Sequence, residues 1–193
     1  MSIFLKGSVK QIRLRDDAGT TRTGRFDDGT ITAAGRTHAI DDVKVLPPCE
    51  PTKIVCIGRK YAKHAEELGN DVPDRPLLFF KPPIALSAHG DTVKLPVGRV
   101  DMEHKAELCV VIGEQCRNVD AADAEDVIAG YTCIKDMSNL DEQRKEKNWV
   151  RGKAFDNGAP LGPVLASPDE LQTTRRPARS SRARRARSPP PST

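Results

Sequence analysis

The chain has 193 residues, of which 37% are hydrophobic, 30% charged and only 4% aromatic, enough for one lean core plus an appendage. It contains no apolar run of about 18 residues, and Met1 to Lys6 turns polar too soon for a signal peptide, so no membrane span is expected and a cytoplasmic location is. The net charge of +4 misleads: seven of the 31 basic residues are arginines in 172–193, where there is no acid, which leaves 24 basic against 27 acidic residues and a body at −3.

Residues 1–48 read as a small N-terminal β domain. Ser8 to Leu14 alternates at period two, as a half-buried strand does. Turn signals follow at Asp16-Asp17-Ala18-Gly19 and Asp27-Asp28-Gly29. Thr30-Ile31-Thr32 and Val43 to Leu46 are short strands, and Pro47-Pro48 marks a boundary.

Residues 49–171 read as the working domain. Lys53 to Gly58 is a buried strand, and a helix from Tyr61 to Leu68 is stopped by Gly69-Asn70. Leu77 to Phe80 is an apolar strand, and Glu107 to Ile112 carries the strongest strand signal in the chain. Asp120, with Asp123 three residues on, reads as the cap of a short helix closed by Gly130. Tyr131 to Ile134 is a strand, and Leu140 to Asn148 a polar helix. Gln172 to Thr193 is rich in Arg, Pro, Ser and Ala, buries too little to offset its ordering entropy, and is expected to be disordered. It has no aromatic for base stacking, so nucleic-acid binding is not expected.

The five cysteines, Cys49, Cys56, Cys109, Cys116 and Cys133, are odd in number and form no CxxC pair, which argues against a disulfide framework and a zinc site. Cys109 and Cys133 lie in apolar runs and read as small buried hydrophobes.

Some side chains have spacings that suit chemistry. His64 and Glu67 share a face of the expected helix, where a carboxylate can orient an imidazole as a general base; the same spacing suits a solvated surface pair. Lys105, Glu107 and Cys109 alternate onto one strand face, and Asp136 ends a strand. Carboxylates at neighbouring strand ends can share a hard cation, or simply face water. Lys153 can neutralise a bound carboxylate or stabilise an enolate, or lie exposed. No glycine-rich loop has the spacing of a nucleotide site.

In order, Gly58 to Glu67 matches GRNYAxHAxE, Pro76 to Pro82 matches PxxFxKP, Glu107 to Gly113 matches ELxVVIG, and Ala129 to Thr132 matches AGYT. Asp136 to Gln143 resembles DxSxRDxQ, while Lys153 to Asp156 and Pro160 to Pro163 match KxFD and PLGP. These segments, from about residue 52 to 171, resemble the fumarylacetoacetate hydrolase family, near its acylpyruvate hydrolases and 2-hydroxyhepta-2,4-diene-1,7-dioate isomerases. The resemblance implies a β-rich α+β fold, a mixed β roll with short flanking helices. It implies a divalent-metal-dependent hydrolase or isomerase of β-keto or enol acids such as acylpyruvates or 2-hydroxy-diene-dioates, working as a homodimer. By the same resemblance His64, Glu67 and Lys153 are catalytic, and Arg59, Tyr61 and Gln143 bind substrate. Glu107 and Asp136 would ligate Mg²⁺, Mn²⁺ or Ca²⁺.

The sequence departs from the family pattern at four places. Lys60 replaces an Asn, Lys135 another, and Leu140 the Arg of DxSxRDxQ. Lys105 replaces the first carboxylate of an ExE pair. An ammonium ligates no cation, and like unit charges 4 Å apart repel by about 4 kcal/mol at an effective dielectric of 20. Metal binding is therefore expected to be weakened. The matching segments end near Leu171, where the family continues with further strands of the roll. A C-terminally truncated, inactive remnant is the alternative expectation.

Overall fold

The computed structural model describes residues 7–58, 75–98 and 101–172. The helix expected over Tyr61 to Leu68 and nearly all of the Arg-rich tail lie outside the described residues.

Ile12 and Leu14 are fully buried on β1 (Lys10–Arg15), and the alternation that predicts the strand also turns them inward. β2 (Thr21–Asp27) and β3 (Thr30–Ala33) form a hairpin whose two loop residues, Asp28 and Gly29, both have positive φ, as the tight two-residue turn requires. β3 pairs in turn with β4 (Arg36–Ala39). β5 (Lys44–Leu46) pairs with Arg13–Arg15 of β1. Ile12, Leu14, Ile31, Ala33 and Val45 close one core cluster. Burial of each large aliphatic side chain in it contributes about 1.5–3 kcal/mol.

The first half of β1 pairs with β12 (Val164–Ala166) and so joins the N-terminal strands to the rest of the fold. One eight-stranded sheet results, in the order β4-β3-β2-β1-β12-β10-β9 with β5 also on β1. Its far edge is the long antiparallel pair β9 (Met102–Ile112) and β10 (Ile128–Asn139). Gly130 permits the closest approach in this sheet, since a Cβ there would stand 2.4 Å from the carbonyl oxygen of Ala166. Two small sheets complete the strands: β6 (Ile54–Gly58) with β7 (Leu77–Lys81), antiparallel, and β8 (Leu86–Ser87) with β11 (Ala159–Pro160), parallel. Helices are short: α1 (Leu140–Gln143), α2 (Val150–Lys153) and α3 (Pro168–Gln172). The chain is thus a β-rich α+β fold. No helix among the described residues is long and apolar enough to cross a membrane.

Four local expectations are corrected. The capped helix after Asp120 is only a 3-10 turn over Ala124–Val127, and Gly130 lies in β10. The hairpin pulls this segment straight, with the Gly113 amide donating to the Val127 carbonyl and Ile128 facing Ile112. The helix over Leu140 to Asn148 stops at Gln143, and Trp149 then takes a left-handed φ of 59°. Asp136 does not end its strand, since β10 runs on to Asn139. Cys133 is exposed, because the alternation of β10 turns Thr132 and Ile134 inward instead. All five cysteines are free.

Candidate active site around Asp136

β10 presents Thr132, Ile134, Asp136 and Ser138 to the interior, while the intervening Cys133 and Lys135 are exposed. β7 continues its inward face from Phe79 to Lys81, which is 1% exposed. α2 ends on Lys153, 3% exposed. Two ammonium groups and a carboxylate are thereby buried together, which folding tolerates only if they pair.

They do. Lys153 Nζ donates to Asp136 Oδ2 at 2.5 Å and to Ser138 Oγ at 2.6 Å. Lys81 Nζ donates to the carbonyl oxygens of Met137 (3.0 Å), Lys153 (2.7 Å) and Gly158 (3.1 Å), and lies 3.1 Å from Asp136 Oδ1. An ammonium has three protons, and the carbonyls take all of them. Asp136 Oδ1 is therefore held by charge alone and accepts no hydrogen bond. The ring of Phe79 lies 4.9 Å from Lys153 Nζ, that of Phe155 5.8 Å from Lys81 Nζ, and Trp149 meets Phe79 edge-on at 5.5 Å. Burial lowers the pKa of Lys153 below its ordinary value; Asp136 pulls it back up, and the fields of Lys105 and Lys81 press it down again.

Across the ladder, Lys105 is the direct partner of Asp136, and Glu107 of Ile134. Directly opposed residues share a face, so Lys105 faces Asp136 and Glu107 sits diagonally to it. The Lys105 ammonium lies 3.6 Å from the carboxylate of Glu103, a half-exposed pair.

Of the residues singled out in the sequence, the structure brings Asp136 and Lys153 into contact and places Glu107 on the same face. Gln143 packs on Gly152, the neighbour of Lys153, where a Cβ would come within 2.9 Å of the Gln143 Cβ. Its Oε1 is buried without a hydrogen-bond partner. Arg59, Tyr61, His64 and Glu67 lie outside the described residues. Lys81 and Ser138 carry the site but went without a role in the sequence reading. The signal for both is the period of two: Lys81 follows Phe79, and Ser138 follows Asp136, onto the inward face.

Among the described residues the donor set does not fit a divalent cation. Asp136 Oδ1 lacks a hydrogen-bond donor, which a cation could replace, and Glu107 is on the same face. Against these stand three ammonium groups, two within 3.1 Å of Asp136 and the third directly across the ladder. Among the described residues no three His, Cys, Asp or Glu side chains are grouped to hold a metal.

The site is thus a buried carboxylate–ammonium cluster of Asp136, Lys81 and Lys153 in a β-rich α+β fold. The family model described as Fumarylacetoacetate (FAA) hydrolase C-terminal matches residues 53–184, and the chain belongs to this family. That match runs past Leu171, where the sequence reading ends it. An uncharacterized protein of Archaeoglobus fulgidus is 42% identical over 154 residues, 76% of this chain and 62% of its own length. Oxaloacetate tautomerase YisK of Bacillus subtilis is 35% identical over 144 residues, 72% of this chain and 48% of its own. The crystal structure of 2-hydroxyhepta-2,4-diene-1,7-dioate isomerase from Mycobacterium marinum superposes with a TM-score of 0.72 at 28% identity, covering 83% of this chain and 66% of that one. The chain thus spans about half to two thirds of the length of the relatives it matches. The reading of an inactive remnant finds no support in the fold or in these matches.

Proposed function

We propose that the chain catalyses proton transfer in a small keto or enol acid, interconverting tautomers or double-bond isomers of compounds such as oxaloacetate, acylpyruvates or 2-hydroxy-diene-dioates. The observation that carries this reading is the buried Lys153 ammonium, fixed by Asp136 and Ser138 and backed by the Phe79 ring. A fixed ammonium in a site closed to water stabilises an enolate oxygen far better than one in bulk solvent. The two named relatives, a tautomerase and an isomerase, point to the same chemical class.

In this scheme Lys153 holds the enol oxygen, and Asp136 Oδ1 takes the proton of that hydroxyl as the enolate forms. Gln143 lends its amide to the substrate. His64, oriented by Glu67, moves the proton to and from the adjacent carbon, and Arg59 and Tyr61 hold the remote carboxylate. The test follows ketonisation of enol oxaloacetate by its ultraviolet absorbance, with native chain and Lys153→Met. Loss of about a hundredfold in rate is expected, the usual scale for removing one oxyanion donor. A Lys153→Met chain as fast as the native one overturns the reading.

A further inference from the structure

Lys105 is the direct cross-strand partner of Asp136, on the strand face that also carries Glu107. Its ammonium is half-buried, and its neighbour at 3.6 Å, Glu103, is itself half-exposed, so the pair is weak and easily exchanged for a ligand. Lys81, by contrast, has all three protons committed to backbone carbonyls and is fixed structure. Two ammonium groups therefore remain to meet a ligand, Lys153 from α2 and Lys105 from β9. Lys153 contacts Asp136 from α2, and Lys105 stands across the ladder from it on β9.

We propose that Lys105 supplies the positive charge a divalent cation would otherwise bring, so that this pocket takes a ligand with two adjacent oxygens, an α-keto carboxylate or its enolate, without any metal. One ligand oxygen meets Lys153 and the other Lys105. The inference rests on the keto-acid reading above and deepens it.

Trp149 is the sole tryptophan of the chain and packs on Phe79, which lies under Lys153, so its fluorescence reports on the pocket. The probe is oxalate, planar with adjacent oxygens, titrated into the full chain in EDTA and again with excess Mg²⁺. The native chain is expected to bind oxalate equally in both. Lys105→Gln is expected to bind at least tenfold more weakly, Lys105→Arg to keep most of the affinity, and Lys105→Glu to bind only with Mg²⁺. Thermal melts of each variant report folding separately. Binding by the native chain only with Mg²⁺, or unchanged binding by a folded Lys105→Gln, overturns the inference and leaves the keto-acid reading standing. No binding by the native chain in either condition overturns both.

Discussion

Lys105 stands directly across the β9–β10 ladder from Asp136, while Asp136 is already paired with Lys153 and Lys81 from the other side. Two ammonium groups thus contact one carboxylate, and a third lysine stands opposite it on a separate strand. This relationship bears on the stability of the fold around it and underlies the chemistry proposed for the site.

Lys81 is the structural member of the three. Replacing it with Met removes one hydrogen bond from each of three carbonyl oxygens, of which that of Gly158 keeps the Met137 amide, and leaves Asp136 short of one counter-charge. Breaking a buried pair by removing one partner costs about 3–5 kcal/mol. Urea unfolding of Lys81→Met is expected to show a loss of that size. Lys81→Arg is not expected to rescue it, because a planar guanidinium cannot point protons at three carbonyls around a tetrahedral centre.

The glycines of this region separate fold from site. Gly130→Ala puts a Cβ 2.4 Å from a backbone oxygen of β12, which cannot step aside, and is expected to lower stability by about 1–3 kcal/mol or more in denaturant melts. Gly152→Ala meets Gln143 at 2.9–3.0 Å, including its backbone, at the short contact between α1 and α2. Its expected effect falls more on oxalate binding and turnover than on the melt, because the displaced neighbours are Gln143 and Lys153.

Cysteine reactivity tests burial near the pocket. Burial raises the pKa of Cys56 to about 11, helped by the Asp136 field, and that of Cys109 to about 11 as well, from an ordinary 9.0. A raised thiol pKa means less thiolate at a given pH, here about a hundredfold less at pH 8, and the thiolate is the species that reacts. Mass-spectrometric mapping of iodoacetamide labelling at pH 8 is expected to find Cys116 and Cys133 modified first, both being exposed. Labelling of Cys56 and Cys109 is expected to rise steadily as pH climbs towards 11.

The outer face of the β6–β7 pair exposes Val55, Ile57, Leu78 and Phe80, with Val55 opposite Phe80 and Ile57 opposite Leu78. Such a contiguous apolar face favours self-association. Phe80→Lys is expected to reduce concentration-dependent association in sedimentation velocity while leaving the urea midpoint unchanged within about 0.5 kcal/mol.

The legible parts of the fold were those where local pattern and tertiary demand agree. Ile12 and Leu14 alternate and are buried; Asp28-Gly29 calls for a tight turn and makes one. The apolar core of β9 was visible from Glu107 on. Its first half, Met102 to Ala106, is charged and becomes strand only because β10 pairs with it residue by residue. The capping pattern at Asp120 lost to the same hairpin, and the polar helix after Leu140 gave way where Trp149 turns to reach Phe79. Within the site, Asp136 and Lys153 were marked by the family resemblance. Lys81 stood in the PxxFxKP match without a role, because a lysine ending an apolar strand looks like a solvated end until the carbonyls that surround it are brought in from Met137, Lys153 and Gly158.

The proposal that Lys105 takes the place of a divalent cation beside Asp136 has a direct test. Calorimetric titration of the purified chain with Mg²⁺ and Mn²⁺, beside a Lys105→Glu version, tests it most directly. No saturable heat is expected for the native chain and measurable binding for Lys105→Glu. Tight binding of either ion by the native chain would contradict it.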